Sequence, residues 1–262
     1  MNHPNSGNIY LMSFPRSGSN WLRYCFEFIT KRRTQTREES WNTGAFGREL
    51  LFHLHEESEY NMNVGDVSNI PKIILVRNYK ECVPSHIQRS DYRWMQRAPY
   101  LSYRRAGIVD PVFSAYLQRY CRLLNTFEES YDATLSLHIC YEEFIEKPAR
   151  SLAELIRYID NIRSELSGYI PSLETMTENM LELLENYRSH RLAALDTYRG
   201  KKGGAAHSGD AMTSGKKGNS FHFYCRWYFE DELAIIDEET KSFVLSTAYE
   251  KYLQRYTEQE RK

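Results

Sequence analysis

An apolar run, Ile9-Tyr10-Leu11-Met12, breaks into Ser13-Phe14-Pro15-Arg16-Ser17-Gly18-Ser19-Asn20-Trp21 and then directly into the helical pattern Leu22, Tyr24, Cys25, Phe28, Ile29. A buried strand, a tight turn containing glycine and a helix in direct succession leave few folds open. The first backbone N–H groups of such a helix have no partner within it and point together at the space before it, which an anion fills best. Arg16, Ser17, Gly18, Ser19, Asn20 and Trp21 are therefore expected to form a phosphate-binding loop.

The loop is P-loop-like, yet it is not that of the nucleoside triphosphatases. Their pattern ends in Gly-Lys-Ser/Thr, the Lys reaching the terminal phosphates and the hydroxyl holding Mg²⁺. Here Ser19 follows Gly18, no Lys comes after it, and the cation, Arg16, precedes the glycine. A nucleotide phosphotransferase is thereby disfavoured.

Lys72-Ile73-Ile74-Leu75-Val76 is a second apolar run that ends abruptly in charge at Arg77-Asn78, as a strand buried on both faces of a parallel sheet does. Ser85 follows eight positions after Arg77. A planar, permanently charged guanidinium plus a hydroxyl suits a dianionic ester. The plainer reading of Arg77 is a strand-end arginine that caps a helix C-terminus or forms an ion pair with a nearby carboxylate. A third segment, His138-Ile139-Cys140-Tyr141-Glu142-Glu143-Phe144, leads through Lys147-Pro148 into Leu152, Leu155, Ile156 and Ile159 at helical spacing.

The expected elements are strand 9–14, helix 20–32, a polar connection 33–48, strand 50–54, strand 72–77, helix 79–89, a helix around 111–130, strand 135–140 and helix 149–162, with further helices near 175–196 and 230–256. Strands alternating with helices predict an α/β chain of three layers, a central parallel sheet flanked by helices, as a single domain over 1–262. Ligands then bind at the carboxyl ends of the strands, where both phosphate motifs fall.

In their order and spacing the three motifs resemble those of the sulfotransferases that use 3′-phosphoadenosine 5′-phosphosulfate (PAPS). The resemblance implies that the loop Arg16–Trp21 holds the 5′ end of PAPS, that Arg77 and Ser85 grip its 3′-phosphate, and that Trp21 and Tyr141 enclose the adenine. Core packing is the plainer reading for both aromatic residues. Arg16 stands where the family has a catalytic Lys and stabilises charge growing on the bridging oxygen; always protonated, it does so without donating a proton. A Lys-Lys-Gly motif, Lys216-Lys217-Gly218 in preference to Lys201-Lys202-Gly203, closes over the 3′-phosphate, Lys replacing the usual Arg. Both lie in Gly200 to Asn219, a glycine- and lysine-rich stretch with too little apolar surface to pack and so expected to be a mobile loop.

His55, at the end of the strand 50–54 and 22 positions before Arg77, matches the family's base, with Glu56 or Glu57 as the alternative. Alternation puts His53 on the same face. Imidazole suits the role because its pKa lies near neutrality. Transfer releases 3′-phosphoadenosine 5′-phosphate (PAP), already a good leaving group, so no metal is required.

Composition narrows the partners. A net charge of −1 argues against nucleic acid, which needs a strongly basic face. No run approaches the roughly 18 apolar residues of a membrane span. The polar Met1-Asn2-His3-Pro4-Asn5 passes at once into the first strand, so no signal peptide is expected; the five cysteines match neither a disulfide framework nor a zinc site and read as thiols of a reducing compartment. Cytoplasmic localisation follows. Tyr92 to Arg105 would form an aromatic wall for the acceptor, and Glu56, Glu57 and Glu59 would favour a cationic one. The expected partner is a small-molecule acceptor, a cationic natural product such as a guanidinium alkaloid. A carbohydrate or glycolipid acceptor, and a non-catalytic protein that binds PAPS or PAP, remain alternatives.

Overall fold

The computed structural model describes residues 8–35, 43–54, 69–90, 109–166, 169–200 and 230–258. Five strands, β1 (Ile9–Ser13), β2 (Arg32–Gln35), β3 (Phe46–Leu54), β4 (Lys72–Val76) and β5 (Ser136–Cys140), form one parallel sheet in the order β2-β3-β1-β4-β5. It is the expected central parallel sheet flanked by helices. Every residue of β1 and β4 is buried, which is why both read as unbroken apolar runs. Leu11 lies beside His53 on one side and Ile73 on the other, and Ser13 beside Leu75.

The described residues form two compact units. The first holds the sheet with α1 (Ser19–Thr30), α4 (Tyr141–Glu146), α5 (Pro148–Ile162), α6 (Leu173–Glu185) and α7 (Tyr187–Gly200). Ile9, Leu11, Leu51, Ile73, Leu75 and Ile139 share one sheet face and one core with Leu22, Cys25, Phe26 and Ile29 of α1 and Leu152, Leu155 and Ile159 of α5. Strand alternation and helical periodicity thus meet in one apolar layer.

The segment expected as a polar connection over 33–48 holds a strand instead, β2, and the start of β3. Arg32-Arg33-Thr34-Gln35 shows no apolar alternation, because polar partners order it. The buried carboxylate of Glu27 accepts from Thr34 N (2.9 Å), Thr34 Oγ1 (2.6 Å) and Thr43 Oγ1 (3.0 Å). Arg23 Nε donates to Thr34 Oγ1 at 3.1 Å, and the Arg32 guanidinium donates to the carbonyls of Tyr169 (3.1 Å) and Arg48 (2.9 Å). Burial with most hydrogen bonds kept makes such a strand tolerable, Arg32 Nε being buried without a partner among the described residues. The single helix expected near 175–196 is likewise two, broken at Asn186.

The second unit holds Phe14–Arg16, α2 (Tyr79–Ser90), α3 (Pro111–Glu129), α8 (Glu230–Phe243), α9 (Ser246–Ala248), a π-turn (Tyr249–Leu253) and α10 (Gln254–Glu258). Asp110 caps α3, accepting from Val112 N at 2.7 Å, with Pro111 in the first turn, where its missing N–H costs nothing. α3 also holds the chain's last helices. Asn125 bonds Phe243 O (3.1 Å) and Leu245 N (2.9 Å), and Glu128 pairs with Lys251 (2.9 Å). Asp237 of α8 accepts from the Tyr79 hydroxyl and pairs with the buried Lys80 at 3.1 Å.

Cys25, Cys82, Cys121 and Cys140 are buried free thiols, and burial pushes Cys121 up to about 12, away from reactive thiolate chemistry. Cys225 lies outside the described residues.

One packed histidine makes stability depend on pH. His190 Nδ1 is 2.7 Å from the Tyr24 hydroxyl and its ring lies 4.5 Å from that of Phe28; burial lowers its pKa below the ordinary value, against an opposing pull from Glu182. The unfolded chain therefore takes up this proton more readily than the folded one. The contribution is complete above about pH 6.5 and is lost as pH falls through the depressed folded value. The thermal midpoint should drop between pH 7.5 and pH 5, and drop less in His190→Gln, as melting curves at the two pH values will show.

Candidate active site

β1 and β4 are neighbouring parallel strands, so the segments that leave their carboxyl ends, Phe14–Gly18 and Arg77–Asn78, start side by side. In the second unit this brings three of the expected residues together. Arg77 Nη1 donates to the carbonyl of Arg16 at 2.7 Å, and Arg16 Nε donates to Ser85 Oγ at 3.1 Å. Arg16 has φ 72°, a left-handed conformation that costs a non-glycine residue about 1–2 kcal/mol and recurs where function holds it.

The surroundings fix this cluster. Phe14 meets His86 and Tyr120 edge-on at 5.4 and 5.2 Å, and the Tyr120 hydroxyl donates to Arg77 O at 2.7 Å. Asn78 opens α2: its carbonyl accepts from Glu81 N and Cys82 N at 3.0 Å, and its side chain from Lys80 N at 2.9 Å. Glu81 was not singled out by sequence reasoning. Its carboxylate Oε2 receives Arg77 Nε at 3.0 Å and Arg77 Nη2 as well. Its position four residues after Arg77, in the first turn of the helix, was the available signal. The plainer reading of Arg77 as half of an ion pair is therefore met in the structure, alongside its contact with the loop.

In the first unit the loop continues into α1. Gly18 precedes the helix at φ 88° with no side-chain cap, and no acidic residue occupies the first turn, which leaves the N-terminus suited to an anion. Ser17 Oγ is buried and has no hydrogen-bond partner among the described residues, an unusual state for a hydroxyl and one that a phosphate oxygen would relieve. A Cβ on Gly18 would lie 2.1 Å from Tyr141 Cε2, so the Tyr141 ring rests on the loop backbone. Asn20 Oδ1 accepts from Arg23 Nη1 at 3.4 Å, which fixes the direction of its amide.

Trp21 and Tyr141 are both buried, 3% and 8% exposed. The Trp21 ring stacks with Tyr24 (5.4 Å) and Phe144 (6.4 Å), and its Nε1 donates to the Tyr187 hydroxyl at 3.2 Å. Burial pushes Tyr24 and Tyr187 up to about 12, so both remain neutral. At the end of β3, His53 Nε2 lies 3.1 Å from Ser13 Oγ, joining that strand to the one that leads into the loop. His55, Glu56, Glu57, Glu59, the stretch Tyr92 to Arg105, and both Lys-Lys-Gly motifs, Lys216-Lys217-Gly218 included, lie outside the described residues. Among the described residues no helix is long and apolar enough to cross a membrane.

No family model and no curated protein matches the chain. Solved structures do. The crystal structure of the mouse sulfotransferase SULT7A1 complexed with PAP superposes with a TM-score of 0.55 over 97% of this chain and 89% of its own, at 17% identity. The chain has the sulfotransferase fold. Retinol dehydratase in complex with androsterone and the inactive cofactor PAP is also similar, with a TM-score of 0.51 over 90% of this chain and 80% of its own, at 13% identity. At such identities the sulfotransferase likeness is one of backbone, and side-chain chemistry has to be argued from the residues above.

Proposed function

We propose that the chain is a PAPS-dependent sulfotransferase that moves a sulfuryl group to a hydroxyl or amine of a small-molecule acceptor and releases PAP. The observation that carries this reading is the meeting of Arg16, Arg77 and Ser85, drawn from two separate motifs, in a chain whose fold is shared with proteins crystallised with PAP. The orphaned Ser17 hydroxyl and the uncapped start of α1 support an anion in the loop.

In this reading the backbone of Ser17, Gly18, Ser19 and Asn20 takes the 5′-phosphate, Arg77 and Ser85 take the 3′-phosphate, and Trp21 and Tyr141 contact the adenine. Lys216, Lys217 and Gly218 close over the 3′ side. The acceptor oxygen forms its bond to sulfur as the bond from sulfur to the 5′-phosphate oxygen breaks. His55 takes the acceptor's proton, and Arg16 stabilises the charge appearing on the leaving oxygen. Catalysis is then mainly positioning and electrostatic stabilisation, as in phosphoryl transfer. Glu56, Glu57 and Glu59 favour a cationic acceptor, a small natural product, and we place the reaction in the cytoplasm.

Calorimetry with PAP tests the nucleotide half. Incubation with PAPS and a panel of neutral and cationic alcohols and amines, read by mass spectrometry for the gain of one sulfuryl group, tests the transfer. His55→Ala is expected to slow transfer at least about tenfold and to leave PAP affinity within about twofold, since a base touches the acceptor and not the nucleotide. An unchanged rate in His55→Ala would move the base to Glu56 or Glu57.

A further inference from the structure

We propose that Glu81 is an internal stand-in for the 3′-phosphate, a positioning residue that acts through Arg77 and sets which anions the Arg77 grip accepts. This rests on the sulfotransferase reading above.

The carboxylate of Glu81 occupies the Nε/Nη2 edge of the Arg77 guanidinium, with Nε at 3.0 Å from Oε2 and Nη2 on the same oxygen. That edge is one of the two a phosphate can take in a bidentate fashion. Nη1 meanwhile donates to Arg16 O at 2.7 Å, so at least three of the five N–H donors are engaged before any ligand arrives. The Arg77 and Glu81 side chains are each 14% exposed, which leaves the pair less screened than a surface pair. Ser85 Oγ accepts from Arg16 Nε at 3.1 Å, which orients the hydroxyl and leaves its O–H able to donate to a phosphate oxygen. Glu81 thus cancels the charge of Arg77 from within and leaves Arg16 as the cluster's net positive charge.

An arriving phosphate has two courses. It displaces Glu81 from the Nε/Nη2 edge, or it binds next to the pair with a carboxylate beside it. Both lower its affinity, the first by breaking an ion pair and the second by repulsion between like charges. A free inorganic anion has nothing to set against that loss. A nucleotide also held at its 5′ end and its base does. Glu81 therefore trades affinity for selectivity: it keeps Arg77 from inorganic phosphate and sulfate, and it keeps PAP exchangeable after transfer.

Glu81→Gln removes the charge and keeps the shape, while Glu81→Asp keeps the charge. Calorimetry of the full chain with PAP, 5′-AMP and inorganic phosphate separates the roles, with thermal unfolding to confirm folded protein and Glu81→Ala as a second uncharged variant. Glu81→Gln and Glu81→Ala are expected to bind PAP about three- to tenfold tighter than wild type and to let inorganic phosphate compete with PAP at lower concentration. Affinity for 5′-AMP, which lacks the 3′-phosphate, should stay within about twofold, and Glu81→Asp should track wild type. A purely structural role would instead weaken PAP and 5′-AMP together. Equal or weaker PAP binding by both uncharged variants, or an equal gain for 5′-AMP, overturns the inference. Failure of wild type to bind PAP at all overturns the sulfotransferase reading and this inference with it.

Discussion

Arg16→Ala is expected to lower sulfuryl transfer by about a hundred- to a thousandfold, the range seen when one preorganised donor to a developing oxyanion is removed. The side chain extends from a left-handed backbone and its Nε rests on Ser85, a contact it exchanges for the leaving oxygen in the proposed reaction. Alanine removes the charge but not the main-chain carbonyl that receives Arg77 Nη1, so the Arg77 side of the cluster keeps its brace. PAP affinity should accordingly fall much less, by about tenfold, one charge-assisted hydrogen bond's worth. Arg16→Lys restores a cation without the fork and should return the rate to within about tenfold of wild type. Single-turnover transfer from PAPS, with calorimetry of PAP beside it, measures both quantities. Equal losses in binding and in rate would make Arg16 a binding residue only.

Gly18→Ala is the second substitution of large effect. The backbone there has φ 88°, which alone makes alanine about 1–2 kcal/mol less favourable. The new Cβ would also stand 2.1 Å from Tyr141 Cε2 and 2.4 Å from Cδ2, far inside contact distance, and the ring is buried and cannot swing away freely. Overpacking of this kind adds about 1–3 kcal/mol. The thermal midpoint should fall by about 5–10 °C and PAP binding should be lost, because the displaced ring and the distorted turn are both in the loop's immediate surroundings. Combining Gly18→Ala with Tyr141→Ala removes the collision and leaves the backbone strain, so the double variant should lose less stability than the two single losses summed. Full additivity in unfolding experiments would show that the ring and Gly18 do not press on each other.

The parts of this fold that depend on apolar periodicity were legible. β1 and β4 announced themselves because parallel strands buried on both faces are mainly apolar, with Ser13 and Lys72 only at their ends, and α1 because a glycine turn and a 3.6-residue pattern followed at once. β2 was not legible. Its four residues are held by Glu27, Arg23 and carbonyls distant in sequence, and no local pattern encodes partners of that kind. The candidate site divides in the same way. Arg16, Arg77 and Ser85 could be found because spacing fixes them to strand ends and one helix turn. Their contacts with one another could not: in the structure Ser85 Oγ receives Arg16 Nε and the Arg77 edge belongs to Glu81. Donor and acceptor assignments among charged groups depend on ångström-scale placement, which sequence separation does not carry.

α3 serves as a keystone. Tyr120, in its middle, fastens the peptide of Arg77, while one to two turns further on Asn125 and Glu128 fasten Phe243, Leu245 and Lys251. The chain's closing stretch is thus a buttress for a residue far upstream rather than a trailing ornament. Drift in its amino acids is answerable to the backbone position of Arg77.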